Sequence, residues 1–383
     1  MKRSTDRILT THVGSLPRPP EFIELATAKT EGRPSDPQRL ADSLKSSIND
    51  VVHKQADIGI DIISDGEFGK ANWQGYIMGR ITGYEPKQVP PPKWGYIGRD
   101  LETFVDFYKE ARPEMFRPRN RWVCTGPLKY NDAEIKRDIA NFKAALGDVK
   151  VEETFMPVIA PGSIAPDEEN QYYPTEDAYL EAIASLLRQE YQAILDAGFL
   201  LQVDDAILAN NHDILSANGE DNYLRWAEKR IEALNVALEG IPEEKVRYHI
   251  CWGSWHGPHS TDVPLRTIAN VILKAKTQGF SVEAANPRHE YEWQVWEDIK
   301  LPAGKVLIPG VITHRTPVVE HPETVAQRIV RYAEVVGREN VLASSDCGFA
   351  QGTTTQRVHP SIVWAKLASL VEGAKLASKK LWK

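Results

Sequence analysis

Short apolar runs recur along this chain, each followed by an amphipathic stretch, and that alternation restricts the fold more than any other feature. It is the pattern of a parallel sheet with helical crossovers. The runs are Ile8–Val13, Asp61–Ser64, Trp122–Thr125, Thr154–Ala160, Leu200–Val203, Arg247–Cys251, Phe280–Glu283, Val306–Ile312 and Val341–Ser345. Helical patterns cover Asp36–Ile58, Thr175–Ala197, Asn222–Leu238, Asp262–Gln278, Pro322–Val336 and Pro360–Lys380, with capping residues at Ser35-Asp36-Pro37 and Thr175-Glu176-Asp177. A closed eight-stranded (β/α) barrel needs one run fewer. Trp122–Thr125 is the extra one, because it stands behind a Pro- and aromatic-rich segment, Gly83 to Arg121, that reads as an insertion. Its Trp94, Tyr96 and prolines permit a lid over the barrel mouth without requiring one. The expected fold is therefore α/β, a (β/α)8 TIM barrel with an insertion after the second strand, and residues 1–383 form one domain. The rival, a doubly wound open sheet, expects a Gly-rich phosphate loop after an early strand. Val13-Gly14-Ser15-Leu16-Pro17 is too poor in glycine and is blocked by proline.

Composition narrows the partners. Hydrophobic content of 42%, charged content of 26% and a net charge of −7 describe an ordinary globular protein without the basic footprint of a nucleic-acid binder. No stretch is apolar enough to cross a bilayer, and the charged start Met1-Lys-Arg-Ser-Thr-Asp is unlike a signal peptide. With Cys124, Cys251 and Cys347 as its cysteines, the chain has no disulfide framework, and the cytoplasm is the expected compartment.

The chemistry lies where the runs finish. His12 and Ser15 follow the first, Asp65-Gly66-Glu67 the second, Asp204-Asp205 the fifth, His249 and Cys251 the sixth, Glu283 the seventh, His314 the eighth and Asp346-Cys347 the last. All strands of a (β/α) barrel point the same way, so these residues converge on one mouth. In a strand, side chains alternate faces, and the His249-Ile-Cys251 spacing therefore puts an imidazole and a thiol on one side. With Glu283 and Cys347 they make a tetrahedral N/O/S set of the kind zinc prefers. The competing reading leaves His249 in a core and the cysteines as small buried hydrophobes. Glu67 and Asp204 remain as carboxylates for a cationic group on a substrate, or as loop acids and helix caps. His314 donates or accepts a proton near a leaving group, or simply binds loop backbone. Trp252 and Trp255 are placed to wall the mouth, whereas Trp293 and Trp296 read as core packing. Arg18, Lys70, Arg288 and Arg315 stand just beyond strand ends, each a candidate for an anionic substrate group or for ordinary surface solvation.

An ordered set of motifs resembles the catalytic barrel of the cobalamin-independent methionine synthase family: Gly14-Ser15-Leu16-Pro17, Asp65-Gly66-Glu67, Gln202-Val-Asp204, His249-Ile-Cys251, Ser281-Val-Glu283, Pro309-Gly-Val311 and Asp346-Cys347-Gly348. The resemblance implies that His249, Cys251, Glu283 and Cys347 are zinc ligands. It implies further that Ser15, Glu67 and Asp204 hold the amino-acid group of homocysteine, and that His314 is the catalytic histidine. Two departures stand out. Ala160-Pro-Gly-Ser-Ile-Ala165 replaces a Trp-containing segment of the family, and Asp205 replaces a glutamate. The stretches Trp252-Gly-Ser-Trp-His-Gly-Pro-His259, Glu283-Ala-Ala-Asn-Pro-Arg-His289 and Glu320-His-Pro-Glu323 look more like the short single-barrel relatives, which include the zinc-dependent epoxyalkane:coenzyme M transferases.

The expected activity is zinc-dependent S-alkylation of a small thiol, above all methyl transfer to homocysteine or a related thiol, with Zn²⁺ as cofactor and a small-molecule alkyl donor. Opening of an epoxide by coenzyme M is the alternative, with Arg18 or Arg288 on the sulfonate. A non-catalytic, zinc-stabilised thiol-binding barrel is the alternative of a different class.

Overall fold

The computed structural model describes residues 1–90, 97–164, 170–354 and 356–383, and excludes the side chains of Val89 and Arg119. Trp94, Tyr96 and Ala165 lie outside the described residues. Eight strands run parallel in one sheet: β1 (Leu9–Thr10), β2 (Ile62–Ile63), β5 (Glu153–Ile159), β6 (Leu200–Asp205), β7 (Val246–Ile250), β8 (Gly279–Val282), β9 (Val306–Ile312) and β10 (Leu342–Ser345). Their spatial order is β1-β10-β9-β8-β7-β6-β5-β2. Hydrogen bonds from Asp61 N to Thr10 O at 3.2 Å and from Thr11 Oγ1 to the Ile62 carbonyl at 3.0 Å bring β2 back to β1. The eight strands thus form a (β/α)8 barrel. β3 (Ile81–Val89) and β4 (Arg119–Tyr130) pair antiparallel with each other outside it.

The run Trp122–Thr125 therefore belongs to β4, in the insertion after the second strand. The insertion is more regular than its sequence suggests, with Ile81–Val89 and Arg119–Tyr130 as a long ribbon at its base and helices Asp100–Thr103 and Val105–Ala111 beyond. Gly83, with φ +102°, sits at a register shift in β3, and together with Pro86 it hides the strand signal. The helix expected over Asp262–Gln278 is shorter, Leu265–Ile272. Pro264 holds an extended N-cap conformation (ψ 138°), and Asp262 is engaged by His259 and His289 rather than by a helix turn. Helix Pro37–Ile58 begins as its sequence predicts. Asp36 accepts from Gln38 N at 2.9 Å and Arg39 N at 3.3 Å, a cap contributing about 1 kcal/mol.

Inside the barrel, Leu9, Ile62, Phe155, Leu200, Val306, Ile308 and Leu342 close the end where the strands begin. Strand alternation then decides which polar groups follow. In β7, Arg247 and His249 face inward while Tyr248 and Ile250 join the helix-facing core. The Arg247 guanidinium lies 4.1 Å from the Phe155 ring centroid and donates to Thr11 Oγ1 at 2.9 Å and the His12 carbonyl at 2.7 Å. It forms a buried polar layer beneath the mouth.

Candidate active site at the barrel mouth

The same alternation separates the two neighbouring aspartates of β6. Asp205 faces out, where it accepts from Ser163 Oγ at 2.8 Å, Tyr248 OH at 2.8 Å and Leu208 N at 3.1 Å. Its role is to fasten elements. Asp204 faces in, opposite His249 on β7, with Gln202 Nε2 donating to its Oδ1 at 2.7 Å. Burial, then the nearby Glu67 charge, push its carboxyl up to about 7.

Two thiols and an imidazole meet at the centre. Cys251 Sγ and Cys347 Sγ are 3.4 Å apart, and a ligand atom of His249 lies with them so that all three fall within 4.8 Å of one another. Glu283 Oε1 is 3.7 Å from Cys251 Sγ. All four side chains are buried. Ser281, two residues before Glu283 on β8, contacts His249 Nδ1 through its hydroxyl at 3.1 Å, so Nε2 is the ring nitrogen left for another partner, and it has none among the described residues. Cys251 and His249, both beside Cys347, draw its thiol well below the ordinary range despite burial. Cys251 moves the opposite way, because it shares a proton with Cys347 and is buried. Burial alone would lower His249, but the neighbouring Cys347 thiolate carries the imidazole above its usual value. A pair of thiols sharing one proton beside an imidazole is an electron-rich pocket that a soft divalent cation fits.

Apart from Asp346, sequence reasoning did not single out the groups that hold this set. Ser254 Oγ donates to Cys347 Sγ at 3.0 Å, and Gly253 N donates to Cys251 Sγ at 3.3 Å. Asn286 Nδ2 donates to Glu283 Oε2 at 2.8 Å and to Asp346 Oδ2 at 3.2 Å. Asp346 Oδ1 accepts from Ala284 N at 2.7 Å and Ala285 N at 2.8 Å, tying the end of β10 to the loop after β8. Their signal was proximity in sequence to the ligand-type residues, which does not reveal direction. A register shift at Ser344/Ser345 allows both Asp346 and Cys347 to reach the mouth.

His314 continues from β9 and clusters with Glu283 and Asp346. Neither of its ring nitrogens has a partner among the described residues, and burial followed by the Arg315 charge keeps it well below the usual imidazole range. It is a neutral ring. Ser15 accepts from Ala350 N at 3.3 Å, and a Cβ at Gly348 would stand 2.0 Å from Ser15 Oγ. That glycine lets β1's loop close on the residue after Cys347. Glu67 adopts φ +61°, rare for a residue with a side chain, and Glu67 N donates to Asp65 Oδ1 at 2.9 Å. Its Oε2 pairs with Lys70 Nζ at 3.1 Å.

Several strand-end candidates have structural duties. His12 binds Gln55 Oε1 at 2.7 Å, away from the thiols. Arg18 donates to four carbonyls, of Ala350, Gly352, Glu67 and Lys70. Lys70 is occupied by Glu67 and the Pro157 carbonyl, Arg288 is exposed and donates to the Ser260 carbonyl at 3.2 Å, and Arg315 is paired with Glu283. Trp252 is buried with its indole on the Val263 carbonyl, Trp255 packs against Tyr108 of the insertion, and Trp296 lies in the core.

No helix among the described residues is long and apolar enough to cross a membrane. The family model "Cobalamin-independent synthase, Catalytic domain" matches residues 8–89 and 119–375. A methionine synthase of Thermococcus kodakarensis is 22% identical over 373 residues, covering 97% of this chain and 94% of that one. An uncharacterized Bacillus subtilis protein is 25% identical over 372 residues, covering 94% and 92%. A B12-independent methionine synthase from Shewanella, solved in complex with selenomethionine, superposes with a TM-score of 0.72 at 19% identity, covering 98% of this chain and 99% of that one. With the model spanning nearly all of the barrel, this chain belongs to the family of cobalamin-independent synthase catalytic domains.

Proposed function

We propose that this protein is a zinc-dependent thiol S-methyltransferase whose acceptor is homocysteine or a closely related amino thiol. The observation that carries the reading is the meeting of two thiols, an imidazole whose Nε2 has no partner among the described residues and a buried carboxylate at one barrel mouth, beside an acidic recess. His249, Cys251, Cys347 and Glu283 would hold the metal. Tetrahedral zinc with thiolate bonds near 2.3 Å brings two sulfurs to roughly 3.8 Å, and the 3.4 Å between Cys251 and Cys347 is close to that spacing. Zinc at this position supplies a substrate thiol that is ionised at neutral pH and still nucleophilic.

The chain's own residues do the rest. Asp204, with Glu67 beside it, takes the α-ammonium group of the acceptor; burial and the Glu67 charge raise the proton affinity of Asp204, an effect that a bound ammonium would offset. Ser15, set against Gly348, fixes the amino-acid end relative to Cys347. His314, neutral and without a partner among the described residues, offers its N–H to the leaving group as negative charge develops there. The methionine synthase relatives support the methyl group as what is transferred. A sulfonate-bearing thiol fits less well, because both terminal nitrogens of Arg18 are taken by carbonyls, Arg288 is exposed, and the recess carries carboxylates.

The test is competition between homocysteine and coenzyme M on cobalt-substituted protein, read through the thiolate-to-metal absorption band. Homocysteine entering the coordination sphere at lower concentration supports the reading, preference for coenzyme M moves it to epoxide opening, and entry of neither thiol points to a non-catalytic barrel.

A further inference from the structure

Glu283 has two chemically different oxygens. Oε1 accepts from Trp252 N at 3.2 Å and faces Cys251 Sγ at 3.7 Å. Oε2 faces away and is surrounded by donors: Arg315 Nη2 at 2.9 Å, Arg315 Nε at 3.3 Å and Asn286 Nδ2 at 2.8 Å. Building on the zinc reading above, we propose that Arg315 is a positioning residue that commits Glu283 to the metal through Oε1 alone and offsets the surplus negative charge of the ligand set.

Charge and geometry both support this. Two thiolates and a carboxylate around one divalent cation leave a net charge of −1, in a pocket where an uncompensated charge is costly. Arg315 places the opposite charge directly on Glu283, with side chains 12% and 0% exposed. The guanidinium cannot swing away, because Nη2 also donates to the Gly253 carbonyl at 2.9 Å and Nη1 to the Trp255 carbonyl at 3.3 Å, and Nη1 contacts His259 Nε2. A planar fork that bridges one carboxylate and two carbonyls is beyond the reach of a lysine.

The loop that supplies those carbonyls is itself held from outside the barrel. Trp255 Nε1 donates to Tyr108 OH at 3.2 Å, and Ser260 N donates to Asp100 Oδ2 at 2.9 Å. Asp100 and Tyr108 lie in residues 90–118, between the two stretches matched by the family model. The loop that anchors Arg315 thus rests on a segment outside the two matched stretches.

The test is zinc affinity by chelator competition, with the cobalt spectrum, for the parent, Arg315→Gln and Arg315→Lys. We expect Arg315→Gln to bind zinc about 10- to 100-fold more weakly, the scale on which groups supporting metal ligands act. Its cobalt spectrum should shift, and Arg315→Lys should recover part of the affinity without restoring the parent spectrum. Parent-like affinity and spectrum in Arg315→Gln would overturn the inference. If Arg315→Gln does not fold, the same parent-like result in Arg315→Lys would overturn it. A parent that takes up neither metal would overturn this inference together with the function it rests on, whereas unchanged variants of a metal-binding parent would overturn this inference alone.

Discussion

Cys251 Sγ and Cys347 Sγ lie 3.4 Å apart although they stand 96 positions apart in sequence, and the distance is well beyond the S–S bond length of about 2.05 Å. The pair are free thiols brought together by the ends of β7 and β10. Their closeness stabilises one thiolate at the expense of the other.

Removing either ligand strand's contribution should therefore remove metal without unfolding the barrel. Cys347→Ala and His249→Ala are expected to lose bound zinc and turnover while keeping the circular dichroism of the parent, since the barrel is closed by other side chains. Full metal content in purified Cys347→Ala would contradict the ligand assignment.

If Asp204 takes the ammonium group as proposed, it should set a pH dependence for binding the amino-acid end. Its carboxyl holds a proton up to about pH 7 in the free protein because of burial and Glu67. A bound ammonium favours the ionised form, so affinity should fall by up to tenfold per unit as pH drops below about 7. Methionine is the probe, because it has no thiol to titrate. Calorimetric titration from pH 5.5 to 8.5 should show this fall, with Asp204→Asn weak and nearly flat. Glu67→Gln should keep its zinc and bind methionine more weakly. An Asp204→Asn variant with the parent's pH profile would refute the assignment.

A third expectation concerns packing beneath His314. A Cβ at Gly310 would stand 2.3 Å from Asp346 Oδ1 and 2.4 Å from its Cα. β9 and β10 cannot separate without breaking the ladder that aligns His314 with Cys347. Gly310→Ala should destabilise the protein by about 1–3 kcal/mol and lower zinc affinity, as measured by thermal unfolding and chelator competition. A variant as stable as the parent would show that the two strands have slack.

His289 gives a stability trend of definite sign. Burial alone would lower its pKa, but Asp262 at 3.1 Å and Glu292 at 2.8 Å raise it to about 9. The unfolded value is near 6.5, so this stabilisation is fully present below about pH 6.5 and is lost as pH rises through 9. It is worth on the order of 3 kcal/mol at most. The melting-temperature advantage of the parent over His289→Gln should be largest near pH 6 and shrink towards pH 9. An advantage that grows with pH would contradict the triad.

The barrel and its mouth were legible because strand alternation is a property of sequence. His249 and Cys251 share a face by spacing alone, and the apolar runs end on the residues that gather there. Direction around the site was not legible. Arg315 read as a candidate for an anionic substrate group or for surface solvation, yet it pairs with Glu283, because the decisive partner is 32 residues away in sequence on another loop. Arg18 misled similarly, since nothing local reveals four carbonyls converging on one guanidinium. Of the β3–β4 ribbon, Trp122–Thr125 was legible in β4, whereas β3 escaped notice because it carries glycine, proline and alternating polar residues on an outlying pair. The duties of Ser254 and Asn286 depend on loop geometry that periodicity does not encode.

The central claim is tested most directly by the zinc content of the purified protein, measured without chelator by plasma mass spectrometry, before and after addition of homocysteine to the cobalt-substituted form. The account predicts about one zinc per chain and a new thiolate-to-metal band when homocysteine enters. Protein that carries no zinc, acquires none on incubation and shows no such band would contradict it.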